Sequence, residues 1–151
     1  TSNPADCAAS IGTIGLIRAS REQKDGRSNL LLHGILRVKF NDWLDDKPYP
    51  FAHIEPALSK EIPEFETKTA IANLRDAVNQ ALRSFPEETQ TRVNATLDRA
   101  QCSAVILADA VAQQFIQNPS MRRQLLEERE VAKRIDFLAS YLRNATRDER
   151  N

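Results

Sequence analysis

MRRQLLEEREVAKRIDFLASYL, residues 121–142, carries two short amphipathic patterns that meet at a charged junction. Leu125 and Leu126 close one helical turn, Glu127, Glu128 and Glu130 mark a new start, and Val131, Ile135, Leu138 and Leu142 recur at helical spacing. This predicts a short helix and then a final one, over about Glu130 to Asn144, in which Glu130 faces Arg134 one turn on in the favourable i,i+4 order. The polar residues after Asn144 are expected to fray.

The same period continues upstream. A helix over about Glu66 to Arg83 sets Ile71, Leu74, Val78 and Leu82 on one face. Pro86 then sits where a first turn tolerates it, and Glu87 and Glu88 complement the positive end of the macrodipole. Val93, Leu97, Ala100, Ala104, Leu107 and Val111 repeat at alternating steps of four and three, with Phe115 one turn further. This predicts one long helix to about Gln117, roughly 46 Å at about 1.5 Å per residue, serving as the spine of an antiparallel bundle. Asn118 is expected to cap the next helix, with Pro119 in its first position.

The first third of the chain has another character. All four glycines, Gly12, Gly15, Gly26 and Gly34, precede residue 35, and no glycine follows. Ile11 to Arg18 and Leu30 to Phe40 are rich in β-branched and aliphatic residues, and Asp25-Gly26 between them is a hairpin signal. Tyr49 to Glu55 reads as a third strand, which Pro50 confines to an edge or a bulge because proline cannot donate to a ladder. Gly12-Thr13-Ile14-Gly15 has no basic residue between its glycines, so it reads as a bent or bulged strand rather than a nucleic-acid clamp. The expected organisation is α+β: an antiparallel β subdomain over 1–64 and a helical bundle over 65–151.

With 151 residues, the chain is long enough to bury a useful core. Its 21 basic and 21 acidic residues balance, which removes the electrostatic case for nucleic acid or an anionic membrane. The longest apolar runs, such as Leu30 to Leu32, fall far short of the roughly 18 residues needed to cross a bilayer. The expectation is a soluble cytoplasmic protein without a signal peptide, with Cys7 and Cys102 as free and mostly buried thiols.

Hydrolytic machinery is not written here. A phosphate cradle needs glycines that the chain lacks after Gly34. His33 and His53 read as packed or surface residues, and Ser59-Lys60, the one adjacent serine and lysine, as a solvated loop. Asp42, Asp45 and Asp46 lack the glycine and distal glutamate of a calcium loop, and the cysteines and histidines lack zinc spacing. No catalytic, cofactor-binding or metal-binding residue is therefore assigned. The remaining candidates are apolar: Trp43 and Leu44 in the charged connection 41–47, and Tyr49 and Phe51 on a shared strand face, are the candidate peptide-binding residues.

Two stretches in the right order resemble one known family. Gln124 to Leu142, with a glutamine, paired leucines and glutamate followed by a valine-containing, arginine-punctuated helix, is similar to the closing helices of the Lon protease substrate-binding domain. Asn29 to Glu55 resembles the same family's apolar strand, glycine, arginine-containing strand and Tyr-Pro strand. The resemblance runs from about Ile11 to Leu142 and implies a small PUA-like antiparallel β-barrel followed by a helical bundle. It further implies a non-enzymatic bacterial module without cofactors, binding unfolded or hydrophobic polypeptide segments. The family's opening Leu-Pro-Leu-Phe-Pro-like strand does not precede Asp6, so the barrel is expected to be incomplete. The alternatives are an RNA-binding domain of the same barrel type, for which the charge balance of the β half is unfavourable, and a structural module that self-associates into a homo-oligomer.

Overall fold

The computed structural model describes residues 10–44 and 47–148. The chain divides after Leu58 into two compact units. The first is an antiparallel meander of β1 (Ile11–Glu22), β2 (Ser28–Leu44) and β3 (Phe51–Pro56), in the order β1-β2-β3. Among the described residues the sheet is open, with β1 and β3 at its edges. The β1–β2 turn forms where the sequence predicts it. Gly26 adopts a φ of 80°, where a side chain would be strained, and the Gly26 amide donates to the Gln23 carbonyl at 3.1 Å. Asp25 closes the turn by accepting from the Arg27 amide at 3.1 Å and from Arg27 Nε at 2.7 Å.

Three register shifts shape the sheet. Each strands one residue without a direct partner: Arg18 on β1, and Ile35 and Asn41 on β2. The shift at Asn41 has a consequence for packing. Phe40 and Trp43, three apart, would point to opposite faces of a regular strand, yet across the bulge their rings stack with centroids 5.1 Å apart. Gly12 completes this arrangement, since a Cβ there would lie 2.7 Å from the Phe40 ring. Gly12 to Gly15 lie within β1, where a strand is expected, but the extra residue of the shift between Ile14 and Gly15 is Ile35 on the partner strand. The strand limits differ from the expected ones: β2 runs through Trp43 and Leu44, which therefore belong to a strand rather than a connection, and β3 starts at Phe51, leaving Tyr49 outside it.

In the second unit, α1 (Glu64–Leu82), α2 (Glu87–Ala100), α3 (Ala104–Phe115), α4 (Pro119–Glu127) and α5 (Val131–Asp148) enclose one apolar core. No helix among the described residues is long and apolar enough to cross a membrane. The single long helix expected from Pro86 to Gln117 is a correction: it breaks at Gln101–Ser103. Ser103 adopts an extended conformation, and its hydroxyl accepts from the Ile106 amide as the N-cap of α3. The seam nevertheless stays buried on both sides of the break, at Val93, Leu97 and Ala100 in α2 and at Ala104, Leu107 and Val111 in α3. Both halves therefore contribute to one core although the helix is interrupted between them. Cys102 lies in the break as an exposed free thiol, so the expectation of burial fails for it; Cys7 lies outside the described residues.

Asn118 and Pro119 do open α4 as predicted, with Asn118 Oδ1 accepting from the Met121 amide at 3.1 Å. The last helix continues to Asp148, four residues beyond the expected end, and Thr146 donates to the Leu142 carbonyl at 2.9 Å within it.

Candidate functional site

Strand pairing sorts the side chains of the β unit into faces. Residues directly opposite one another share a face, and alternation counted through the bulges puts Ile14, Leu36, Val38, Phe40, Trp43 and Ile54 together. Val38 is buried at the centre of this apolar face, whereas Ile14 and Ile54 remain exposed at its margins. The other face is mixed. Lys39 and Glu55, opposite each other, form an ion pair at 3.4 Å, and Asp42 stands opposite His53 in the strand register.

Above this sheet the β1–β2 hairpin narrows at the Gly15–Gly34 pair, where neither strand carries a side chain, and then continues as a two-stranded arm. Ile17 opposite Leu32, and Ser20 opposite Leu30, lie on one face of the arm, and Leu16 opposite His33 and Ala19 opposite Leu31 on the other. Both faces are thus apolar. Leu31 and Ile35 are 63% and 62% exposed, more than most surface aliphatics need to be. The arm also carries Arg18, Arg21 and Lys24, none of which forms an ion pair among the described residues, while Arg27 is taken by Asp25. The hydrogen bonds from the Arg27 side chain and amide hold the Asp25 carboxyl below the usual carboxylate range.

The four residues singled out from sequence do not converge. Trp43 is half-buried against Phe40 on the apolar face, and Leu44 pairs with Phe51 on the mixed face. Tyr49, in the bend before β3, is exposed and shares no strand face with Phe51. What the sequence reading missed is the arm. Its signal is present in Leu30-Leu31-Leu32, since three consecutive apolar residues in a strand must place apolar groups on both faces.

The helical unit contains one polar feature that changes the reading of its sequence. Arg134 does not face Glu130. It is 1% exposed, pairs with Asp109 of α3, and donates from Nη2 to Ser59 Oγ at 2.9 Å. Ser59 and Lys60, expected to be a solvated loop, are therefore fixed. The Lys60 amide donates to the Arg129 carbonyl at 2.8 Å, and the Val131 amide donates to the Lys60 carbonyl at 3.1 Å, a parallel bridge along the start of α5. Glu130 pairs instead with Lys133 at 3.0 Å and Lys60 at 3.7 Å, and Lys133 first, then Lys60, keeps its carboxyl below the usual range. Among the described residues there is no cluster of histidine, cysteine and carboxylate side chains able to hold a metal.

Comparison with known proteins places this geometry. Residues 2–144 match the family described as the ATP-dependent protease La (LON) substrate-binding domain. The Lon protease of Syntrophomonas wolfei subsp. wolfei is 26% identical over 135 residues, and that of Phenylobacterium zucineum 25% identical over 137. In both cases the match covers 87% of this chain and 16% of the relative, so the chain spans about a sixth of the length of these proteases. Among solved structures, the N-terminal domain of Mycobacterium avium complex Lon protease aligns over 91% of this chain and 72% of its own, at a TM-score of 0.74 and 19% identity. The Lon N-terminal domain protein from Xanthomonas campestris aligns over 89% and 69%, at 0.54 and 17%. At those identities the two structures speak to the fold.

Proposed function

This chain belongs to the family of the ATP-dependent protease La (Lon) substrate-binding domain, and from that premise we propose that it is a non-catalytic module that holds unfolded or hydrophobic stretches of polypeptide on its β unit. The observation that carries this reading is the hairpin arm, whose Leu16, Ile17, Leu30, Leu31, Leu32 and Ile35 stand exposed on two faces. An unfolded chain differs from a folded one in offering apolar side chains and unpaired backbone together. The arm answers both, with aliphatic side chains on its faces and an outer edge of β1 that pairs with no strand among the described residues. The apolar sheet face around Trp43 extends the same surface, and Tyr49, Leu44 and Phe51 supply a second apolar margin near β3. The meander is read as the open part of a small PUA-like barrel, closure of which takes further strands against β1 or β3. A free Cys102 accords with the reducing interior of a bacterial cell.

The test is fluorescence anisotropy of a labelled polypeptide, presented to the chain in chemically unfolded and in native form. Saturable binding of the unfolded form alone is expected, weakened severalfold in a Leu31→Ser, Ile35→Ser double variant. Both residues are exposed, so the variant keeps the fold. Equal response to the two forms, or none to either, sinks the reading.

A further inference from the structure

Within the helical unit, a groove of about 460 Å³ lies between the first half of α1 and the start of α5. Its floor is apolar, formed by Ile62, Ala70 and the fully buried Ile135. Phe65 lines it at 81% exposure, the most exposed of the large apolar side chains among the described residues. A phenyl ring left in water on a well-formed helix needs an explanation, because the helix could carry any polar residue at that position without losing its core contacts.

The rim of the groove supplies one. Glu66 and Asp136 line it, and in sequence Glu61 precedes the lining residue Ile62 in the connector and Glu64 precedes Phe65 in the first turn of α1. None of these four carboxylates forms an ion pair among the described residues, although neighbouring Glu130 takes two lysines. Glu64 and Glu66 complement the α1 macrodipole, which accounts for their sign. Glu61 and Asp136 lie outside the first turn of any helix and have no such account. An apolar trough with an exposed aromatic and an uncompensated acidic rim is complementary to an apolar segment flanked by cations.

We propose that this groove docks a partner helix that presents large apolar side chains flanked by lysine or arginine. From Phe65 to Asn73 the trough follows α1 over nine residues, whose eight rises of about 1.5 Å span about 12 Å, enough for two turns of a helix laid alongside. At the far end Asn73 accepts a hydrogen bond from Arg143, which closes the trough against longer occupants. Phe65 supplies the buried anchor of the contact, and the carboxylates set its orientation and its salt dependence. The groove is lined by residues of the helical unit alone and shares none with the hairpin arm.

The experiment uses the full chain and a fluorescently labelled synthetic peptide of leucine, alanine and lysine patterned as an amphipathic helix, beside the same peptide with glutamate in place of lysine. Saturable binding of the lysine peptide is expected, weakened about tenfold by Phe65→Ala and by Asp136→Lys, weakened by salt, and unchanged in the Leu31→Ser, Ile35→Ser variant. The glutamate peptide should not bind. Far-ultraviolet circular dichroism checks that Phe65→Ala is folded; if it is not, Glu61→Lys with Glu66→Lys gives the same readout. Equal binding of the lysine peptide by wild type and both sets of variants overturns the proposal, as does equal binding of the glutamate peptide. Peptide-free self-association that Phe65→Ala abolishes also overturns it, because the occupant is then a second copy of this chain.

Discussion

The two units spend similar apolar residues in opposite ways. In the helical unit, Leu74, Leu97, Leu107 and Leu138 are completely buried, whereas in the arm Leu30, Leu31 and Leu32 are more than half exposed. Five helices, each with one apolar stripe, can turn every stripe inward around a shared axis. The three-stranded meander has two faces and no second layer of its own unit among the described residues, so a strand that is apolar on both faces leaves apolar side chains uncovered. Exposure in the arm is thus built into the sequence of β2.

The largest test of this contrast sets two leucine truncations side by side. Leu107→Ala should lower the stability of the helical unit by about 3 kcal/mol, since it removes fully buried methyl groups and leaves a cavity. Leu31→Ala should cost less than about 0.5 kcal/mol, since the side chain it removes is mostly in water. Urea unfolding of the two variants measures both, and comparable losses would mean that the arm is packed as a core.

Arg134→Ala comes next. It deletes the buried guanidinium that pairs with Asp109 and donates to Ser59 Oγ, and is expected to cost about 2 kcal/mol, below the usual range for breaking a buried pair because the Asp109 side chain is itself 44% exposed. Arg134→Met should recover part of that loss by refilling the space. A loss confined to Arg134→Glu, with Arg134→Ala neutral, would show that the ion pair contributes nothing beyond tolerance of its charge.

The smallest effect concerns the break between α2 and α3. Ser103→Ala removes the α3 N-cap and should cost about 0.5–1 kcal/mol, at the low end because the hydroxyl accepts at 3.5 Å on an exposed turn. Amide exchange at Ile106 and its neighbours should quicken while α2 is unaffected. Slower exchange through residues 101–103 would instead mean that the cap holds two helices apart that prefer to be continuous.

Much of the fold is legible without coordinates. Asp25-Gly26 marks the hairpin because only glycine tolerates the backbone found there, and Asn118-Pro119 marks a helix start because one residue supplies an acceptor and the other a preset φ. Those are local requirements, met or failed within a few residues. The candidate site was less legible. Trp43 stands out in the sequence among charged neighbours, yet the bulge at Asn41 turns its ring onto Phe40, and register shifts of this kind depend on the partner strand. Phe65 gave no signal, because a single aromatic in an amphipathic helix looks the same whether it is covered or bare.

Sequence alone determined the class of the protein: a glycine-bearing β portion, a glycine-free helical portion, and the apolar seam from Val93 to Val111 that the core buries. Only the tertiary structure decided that this seam folds over at Ser103. Its steps of four and three are identical for one long helix and for two shorter ones sharing a core, and a capping serine tips the choice only when the return of α3 buries both halves. Arg134 makes the same point for charge. Glu130, four residues before it, pairs with Lys133 and Lys60, whereas the buried Arg134 meets Asp109 and Ser59, which no local pattern connects to it. Periodicity reports which face of an element is apolar; what that face meets is settled by packing across the chain.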